Sequence, residues 1–481
     1  MKIAGRDFRV LDKDLGSITH VEKAQMHAIR PVLRLGGAIL MLIALWLLVL
    51  GVTGHEPGLI AVGSALIVAG WLGVAIGAND IANSLGPAFG AGAVRLVPGL
   101  ILVAIAEVAG AAMAGGPVTT RLAEGIFDSA QLGTGLPAQL TVLSALIAAA
   151  AWITIATGAG LPVSTTHSIV GSLAGAGIAM LGAAAVNWVS IGIIASAWML
   201  TPLAAAGLAG AILLFVQLNI RDAPDRRAAA QRWLHLLVGV MVGLFVSYLF
   251  TLITPGFPLW LDLLPGALAG LAAGWAMRSR VDVMLQDSPD KPRMTSLFRP
   301  ALLFSAVMMA FAHGASDASN VAGPLLMILR ATDGAAISGV VGVPLLLLVG
   351  AGTAIALGAV LFGRRLVVMV GSGITRLNAV RAFCITLATA LIVLGATGLG
   401  LPVSSTHVAV GGVFGVGFAR EWLDRRKKRS RKRLPAEEVR RRTLVRRSHV
   451  VTISVAWLVT VPVTALMGAT CCWLVLWVMG V

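Results

Sequence analysis

Apolar residues run along this chain in long blocks, and polar residues collect in short clusters between them. Segments such as Leu35 to Val52, Leu236 to Ile253, Val340 to Phe362 and Val450 to Val478 approach or exceed the roughly 20 residues that cross a hydrocarbon core at about 1.5 Å per residue. No strand-period alternation argues for a barrel. The pattern predicts an all-α, polytopic membrane protein.

Two polar clusters interrupt the apolar blocks, and each occurs twice. Gly77-Ala78-Asn79-Asp80-Ile81-Ala82-Asn83 with Gly86-Pro87 returns as Gly314-Ala315-Ser316-Asp317-Ala318-Ser319-Asn320 with Gly323-Pro324, about 237 positions later. Gly160-Leu161-Pro162-Val163-Ser164-Thr165-Thr166-His167 returns as Gly400-Leu401-Pro402-Val403-Ser404-Ser405-Thr406-His407, shifted by about 240. Polar groups duplicated at membrane depth mark a transport site between two related halves.

Composition strengthens the membrane reading. Over 481 residues, 58% are hydrophobic and 12% charged, more apolar surface than a soluble core hides. Cys384, Cys471 and Cys472 sit in apolar surroundings and read as small hydrophobes. The net charge of +16 invites a nucleic-acid reading, but its distribution points to the bilayer and predicts no nucleic-acid partner. Of 37 Lys and Arg residues, 34 fall in five segments: the tail before Leu35, Arg221 to Arg232, Arg278 to Arg299, Arg364 to Arg381, and Arg420 to Arg447. The positive-inside rule places all five in the cytoplasm. The densest, Arg425-Arg426-Lys427-Lys428-Arg429 with Arg431-Lys432-Arg433, reads first as a solvated, topology-setting loop. Binding of anionic head groups or a partner is the second reading.

These charges also orient the two copies. The first signature runs inward from an exterior turn at His55-Glu56, whereas the second starts at cytoplasmic Arg299 and exits near Arg330. Pro117 to Leu136 holds one basic and two acidic residues, while Phe362 to Arg381 holds four basic and none acidic. The halves are therefore expected to be inverted-topology repeats. The expected order is a cytoplasmic tail (1–34), an uncleaved transmembrane anchor (35–57), repeat 1 (58–219), cytoplasmic loops with a two-span connector (220–299), and repeat 2 (300–481) with its basic loop 420–447. About 12 core spans plus the anchor place the N-terminus in the cytoplasm and the C-terminus outside. A bacterial inner membrane is the expected location.

Each signature puts an Asp three residues before an Asn, hence on one helix face. Gly77, Gly86-Pro87, Gly90, Gly314 and Gly323-Pro324 are expected to weaken that helix and free carbonyls. Carboxylate, amide and carbonyl oxygens suit Na⁺, or H⁺ on the carboxyl. In the second motif, the prolines place Ser164, Thr165, Thr166 and Ser404, Ser405, Thr406 at helix N-termini, where free N–H groups and hydroxyls bind an oxyanion. His167 and His407 are further donors or buried structural histidines. No Lys or Arg lies deep within a span, so a bound dianion needs co-transported cations. Moving it inward against about 100 mV costs roughly 4.6 kcal/mol. Asp80, Asp317 and Glu107 are best placed to hold those cations.

Gly-Ala-Asn-Asp-x-Ala-Asn in copy one, Ala-His-Gly-Ala-x-Asp-x-x-Asn in copy two and the paired Leu-Pro-Val-Ser-x-Thr-His elements resemble the inorganic phosphate transporter (PiT) family from about Gly58 onward. The resemblance implies symport of inorganic phosphate with Na⁺ or H⁺ by alternating access, with no other cofactor. It places cations near Asn79, Asp80, Asn83, Asp317, Asn320 and Glu107, and phosphate near the hydroxyl half-helices. Ser316 stands where the family usually has Asn, and Thr386 where many members carry Glu; each removes one candidate cation ligand. Sulfate or another oxyanion, and a passive anion channel, are the alternatives. A homo-oligomer is compatible with all of these readings.

Overall fold

The computed structural model describes residues 57–127, 129–158, 163–286, 294–332, 342–369, 378–428 and 447–480, together with 2–3, 6–7, 36 and 43. The expected tail and anchor, apart from those few residues, lie outside the described residues. So do the turn at His55-Glu56, Gly160 to Pro162 and the centre of the basic loop.

Among the described residues the regular structure is helical apart from a two-residue antiparallel pairing of Lys2–Ile3 with Arg6–Asp7 and an isolated antiparallel bridge between Phe127 and Val186. The first half contains α1 (Pro57–Ser84), α2 (Gly86–Gly90), α3 (Leu96–Ala114), α4 (Gly116–Glu124), α5 (Ser129–Leu132), α6 (Leu136–Gly158), α7 (Thr165–Leu181) and α8 (Trp188–Val216). The last of these continues into a π turn, Gln217–Arg221. A hairpin follows, α9 (Arg226–Ile253) and α10 (Leu259–Gln286), in the region where the sequence predicts a two-span connector. The second half contains α11 (Met294–Asp317), α12 (Ser319–Arg330), α13 (Leu345–Phe362), α14 (Arg364–Met369), α15 (Ala379–Gly398), α16 (Ser405–Lys428) and α17 (Arg447–Met479).

Among the described residues, 10 helical segments are long and apolar enough to cross a membrane. Large apolar side chains such as Leu203, Leu271 and Trp275 are exposed on their outer surfaces. Such a surface is stable against lipid and not against water. The protein is an integral membrane protein.

The halves pack reciprocally. α1 lies against α13 as α11 lies against α3; α7 lies against α17 as α16 lies against α8; α4 meets α12 as α14 meets α2. Glycines set the closest approaches, because a missing Cβ lets two helix backbones touch. A Cβ built on Gly77 would land on the carbonyl oxygen of Ile355, and one on Gly314 would land on that of Glu107. This revises the sequence expectation for those glycines. Gly77 does not interrupt its helix, since α1 is continuous to Ser84. The actual breaks fall after Ser84 in copy one and after Asp317 in copy two, and Pro324 lies inside α12.

Candidate functional site

Asn79, Asp80 and Asn83 occupy the last turns of α1. Asp317 ends α11, and Asn320 lies in the first turn of α12. Both hydroxyl motifs open helices, as their prolines and polar runs require. Ser164 caps α7, its Oγ accepting from His167 N at 3.2 Å. Ser404 does the same for α16, accepting from His407 N at 3.4 Å. These two serines hold the helix starts in shape, leaving Thr165, Thr166, Ser405 and Thr406 as the first-turn hydroxyls.

The motifs meet across the halves. Asn83 Nδ2 donates to Thr406 Oγ1 at 2.9 Å, and Thr406 Oγ1 donates to Asp80 Oδ1 at 3.0 Å. Asn79 Nδ2 also donates to Asp80 Oδ1, at 3.2 Å. The reciprocal amide bond is present: Asn320 Nδ2 donates to Thr166 Oγ1 at 3.3 Å. Thr166 Oγ1 and Ser316 Oγ both donate to Val403 O, at 3.4 and 3.2 Å. Ser405 Oγ donates to Asp317 Oδ2 at 2.9 Å. Asp80, Asp317, Glu107, Thr166, Ser316, Asn320 and Ser405 are all buried, while Asn79, Asn83 and Thr406 are partly exposed.

A histidine without an assigned role in the sequence reading sits at the centre. His313 Nδ1 bonds Glu107 Oε1 at 2.9 Å. Its Nε2 lies 2.9 Å from Asp317 Oδ2, at ion-pair distance but out of line for a hydrogen bond, and 3.9 Å from Asp80 Oδ2. The i, i+4 spacing of His313 and Asp317 was the available signal, because it puts both on one face of α11. Glu107 on α3 thus reaches Asp317 through the imidazole.

His167 and His407 face each other with ring centroids 4.8 Å apart, and Trp198 packs edge-on against His167 at 3.8 Å. Trp198 Nε1 donates to Pro402 O at 2.8 Å. This indole fixes the start of one hydroxyl helix to α8, which no sequence spacing announces. Thr386, where family members often carry Glu, turns its hydroxyl onto Ala382 O at 2.8 Å.

The chemistry is that of oxygen acceptors beside hydroxyl donors. Ligand atoms of Asp80, His313 and Asp317 lie within 4.8 Å of one another. Glu107 Oε2, Asp317 Oδ1 and Asn320 Oδ1 are buried without a protein hydrogen-bond partner. Buried acceptors of this kind are costly unless a cation or proton satisfies them. Hard oxygen donors suit Na⁺ better than a thiophilic metal.

A helical membrane protein with duplicated polar motifs meeting between its halves is built as a transporter. Residues 76–468 match the Phosphate transporter family, and the chain belongs to that family. It is a transporter and not an enzyme. It is 32% identical to a Helicobacter pylori (strain J99) protein named "Putative phosphate permease", over 95% of this chain and 97% of that one. It is also 32% identical to "Inorganic phosphate transporter 2-1, chloroplastic" of Arabidopsis thaliana, over 83% of this chain and 69% of that one. A solved structure described as "The sodium-dependent phosphate transporter" superimposes with a TM-score of 0.73 at 30% identity. That match covers 85% of this chain and 98% of the other. The family and the helical membrane fold expected from the sequence are both borne out.

Proposed function

We propose that the chain imports inorganic phosphate across a bacterial inner membrane in symport with Na⁺, by alternating access of two inverted halves. The N-terminus is cytoplasmic and the C-terminus exterior in this arrangement. Asn79, Asp80, Asn83, Glu107, Asp317 and Asn320 serve the cations. Thr165, Thr166, Ser405 and Thr406 serve phosphate, with Ser164 and Ser404 shaping the helix starts.

The observation that carries this reading is the exchange of bonds between copies, Asn83 with Thr406 and Asn320 with Thr166. Cation-type and oxyanion-type residues are direct neighbours there. A hydroxyl has one proton to donate. While Thr406 gives its proton to Asp80 and Ser405 gives its proton to Asp317, neither donates to an oxyanion. A cation on the carboxylates replaces those bonds and frees both hydroxyls, so phosphate binds better after the cation. By linkage, each ligand strengthens the other by the same factor.

Na⁺ is favoured by the sodium dependence named for the structural relative. Proton coupling is the second reading, favoured by His313 between Glu107 and Asp317. Labelled phosphate uptake into proteoliposomes under imposed Na⁺ or H⁺ gradients separates these readings, with accumulation expected to follow the Na⁺ gradient. Uptake indifferent to both gradients identifies a channel, and stronger competition by sulfate reassigns the substrate.

A further inference from the structure

A second charged site lies away from the transport motifs, where three basic segments distant in sequence converge. Arg221 ends the π turn after α8, Arg226 begins α9, Arg381 lies in the first turn of α15, and Arg420 lies on α16. All four line one cavity of about 330 Å³, together with Asp222 and Asp424.

The positive-inside rule explains why arginines flank these spans, but it requires only that they lie on one side of the membrane. It does not gather four guanidinium groups around one small space, where like charges repel. Two carboxylates offset half of the formal charge. Among the described residues, the ion pair inside this lining is Arg420 Nε with Asp424 Oδ2 at 3.9 Å. Asp222 is engaged elsewhere, accepting from Gln217 Nε2 at 2.8 Å. Arg221 Nη1 bonds the neutral Gln217 Oε1 at 3.4 Å. The site is also built on fixed backbone. Asn378 Oδ1 caps α15 by accepting from Arg381 N at 3.0 Å, which sets where that arginine starts. Guanidinium forks match phosphate oxygens in charge and in bidentate geometry.

We propose that this arginine cavity binds a phosphate-bearing anion at the membrane face, separately from the transported substrate. Its size fits a single phosphate-bearing group, since cavities for drug-sized ligands begin at about 300 Å³. Two sources supply that chemistry: the head group of an anionic phospholipid, and a soluble phosphate compound. Arg221 ends one candidate membrane span, Arg226 begins the next and Arg381 lies in the first turn of a third, the positions where lipid head groups are expected. Beside the cavity, Trp422 is 48% exposed and holds the Arg426 guanidinium 5.2 Å above its ring.

The test uses the full-length purified protein and two probes. In one arm, phosphatidylglycerol and phosphatidylcholine are titrated separately and bound lipid is counted by native mass spectrometry. In the other, inorganic pyrophosphate binding is measured by calorimetry in neutral detergent. Losing two charge-assisted contacts in Arg221→Gln/Arg381→Gln is expected to weaken one probe at least about tenfold. Arg278→Gln/Arg280→Gln, on exposed arginines outside the lining, is expected to leave it unchanged. Loss of the phosphatidylglycerol adduct alone assigns the lipid source, and loss of pyrophosphate alone assigns the soluble source. Phenylglyoxal footprinting of the wild-type protein needs no variant: the bound probe should protect Arg221, Arg226, Arg381 and Arg420. Equal binding by wild type and cavity variant, equal losses in both arginine pairs, or no protection of the four arginines by either probe overturns the proposal.

Discussion

Thr406 Oγ1 lies 3.0 Å from Asp80 Oδ1 although 326 residues separate them. The same hydroxyl accepts from Asn83 Nδ2 at 2.9 Å. One threonine on α16 therefore joins the carboxylate and the amide of the opposite half. Its proton cannot serve Asp80 and an oxyanion together, and in the proposed mechanism this competition couples the two ligands.

Thr406→Val is accordingly expected to impair both ligands, and Asp80→Asn mainly the cation. Deleting the hydroxyl removes the donor that the proposed mechanism assigns to phosphate and leaves Asn83 Nδ2 without its closest acceptor, at a cost of about 1–3 kcal/mol. The phosphate KM should rise roughly 5- to 150-fold, and the cation dependence should shift with it. Asp80→Asn removes a negative ligand and should weaken cation dependence with a smaller direct effect on phosphate. Equilibrium binding of each ligand at several concentrations of the other checks this. Independent affinities in the wild type would sink the shared-site mechanism.

Gly77 and Gly70 offer a test of packing within one helix. Gly70 has open space where a Cβ would stand, whereas a Cβ on Gly77 meets the Ile355 carbonyl. Gly70→Ala should stabilise the protein by up to about 1 kcal/mol through helix propensity. Gly77→Ala must push α1 from α13 and should destabilise it by about 1–3 kcal/mol or more. Thermal melts of the two purified variants should therefore move in opposite directions; equal shifts would refute the contact.

Much of this was legible in the sequence because both motifs are duplicated and chemically unusual at membrane depth. The hydroxyl helices start where their prolines and serines require, and Ser164 and Ser404 act as caps because that is what a serine does at a helix N-terminus. The glycines were harder. Gly77 reads equally well as a helix breaker or as a close-packing residue, and only the partner backbone on α13 decides. His313 directly precedes Gly314 of the second signature, but its hydrogen bond to Glu107 spans 206 residues, and no local spacing reveals it. The arginine cavity was invisible for the same reason: its charges read as separate loops until the helix ends bring them together.

Inverted topology makes a prediction for labelling. Gln131, between α4 and α6, and Arg364, at the start of α14, are both exposed. Charge counts place the first outside and the second inside. In intact cells, Gln131→Cys should react with a membrane-impermeant maleimide, and Arg364→Cys should react only after permeabilisation. The native cysteines are buried or partly buried, and the unsubstituted protein gives their background. Labelling of both positions from the same side would contradict the inverted arrangement.

The Glu107 and His313 pair breaks the symmetry between the halves, and this asymmetry can be tested by restoring it. Ile76 precedes Gly77 as His313 precedes Gly314, and Ile355 meets Gly77 through its carbonyl as Glu107 meets Gly314. All four side chains are fully buried. The isoleucine pair shows that this fold accepts apolar residues at such positions. Removing one member of the polar pair should be costly, since a buried polar group loses its partner; about 3–5 kcal/mol is typical when a buried pair is ionised. Replacing both by apolar residues of similar volume is often neutral or stabilising. Glu107→Ile and His313→Ile are therefore expected to destabilise singly, and the double variant should recover most of the loss in a double-mutant cycle. If the pair serves coupling, the recovered double variant should no longer drive phosphate accumulation with a cation gradient, because it lacks the oxygen of Glu107 and the imidazole between the carboxylates. Thermal stability and gradient-driven uptake, measured on the same four proteins, separate the two roles. A stable double variant with wild-type cation dependence would mean that the pair only packs the interface between α3 and α11.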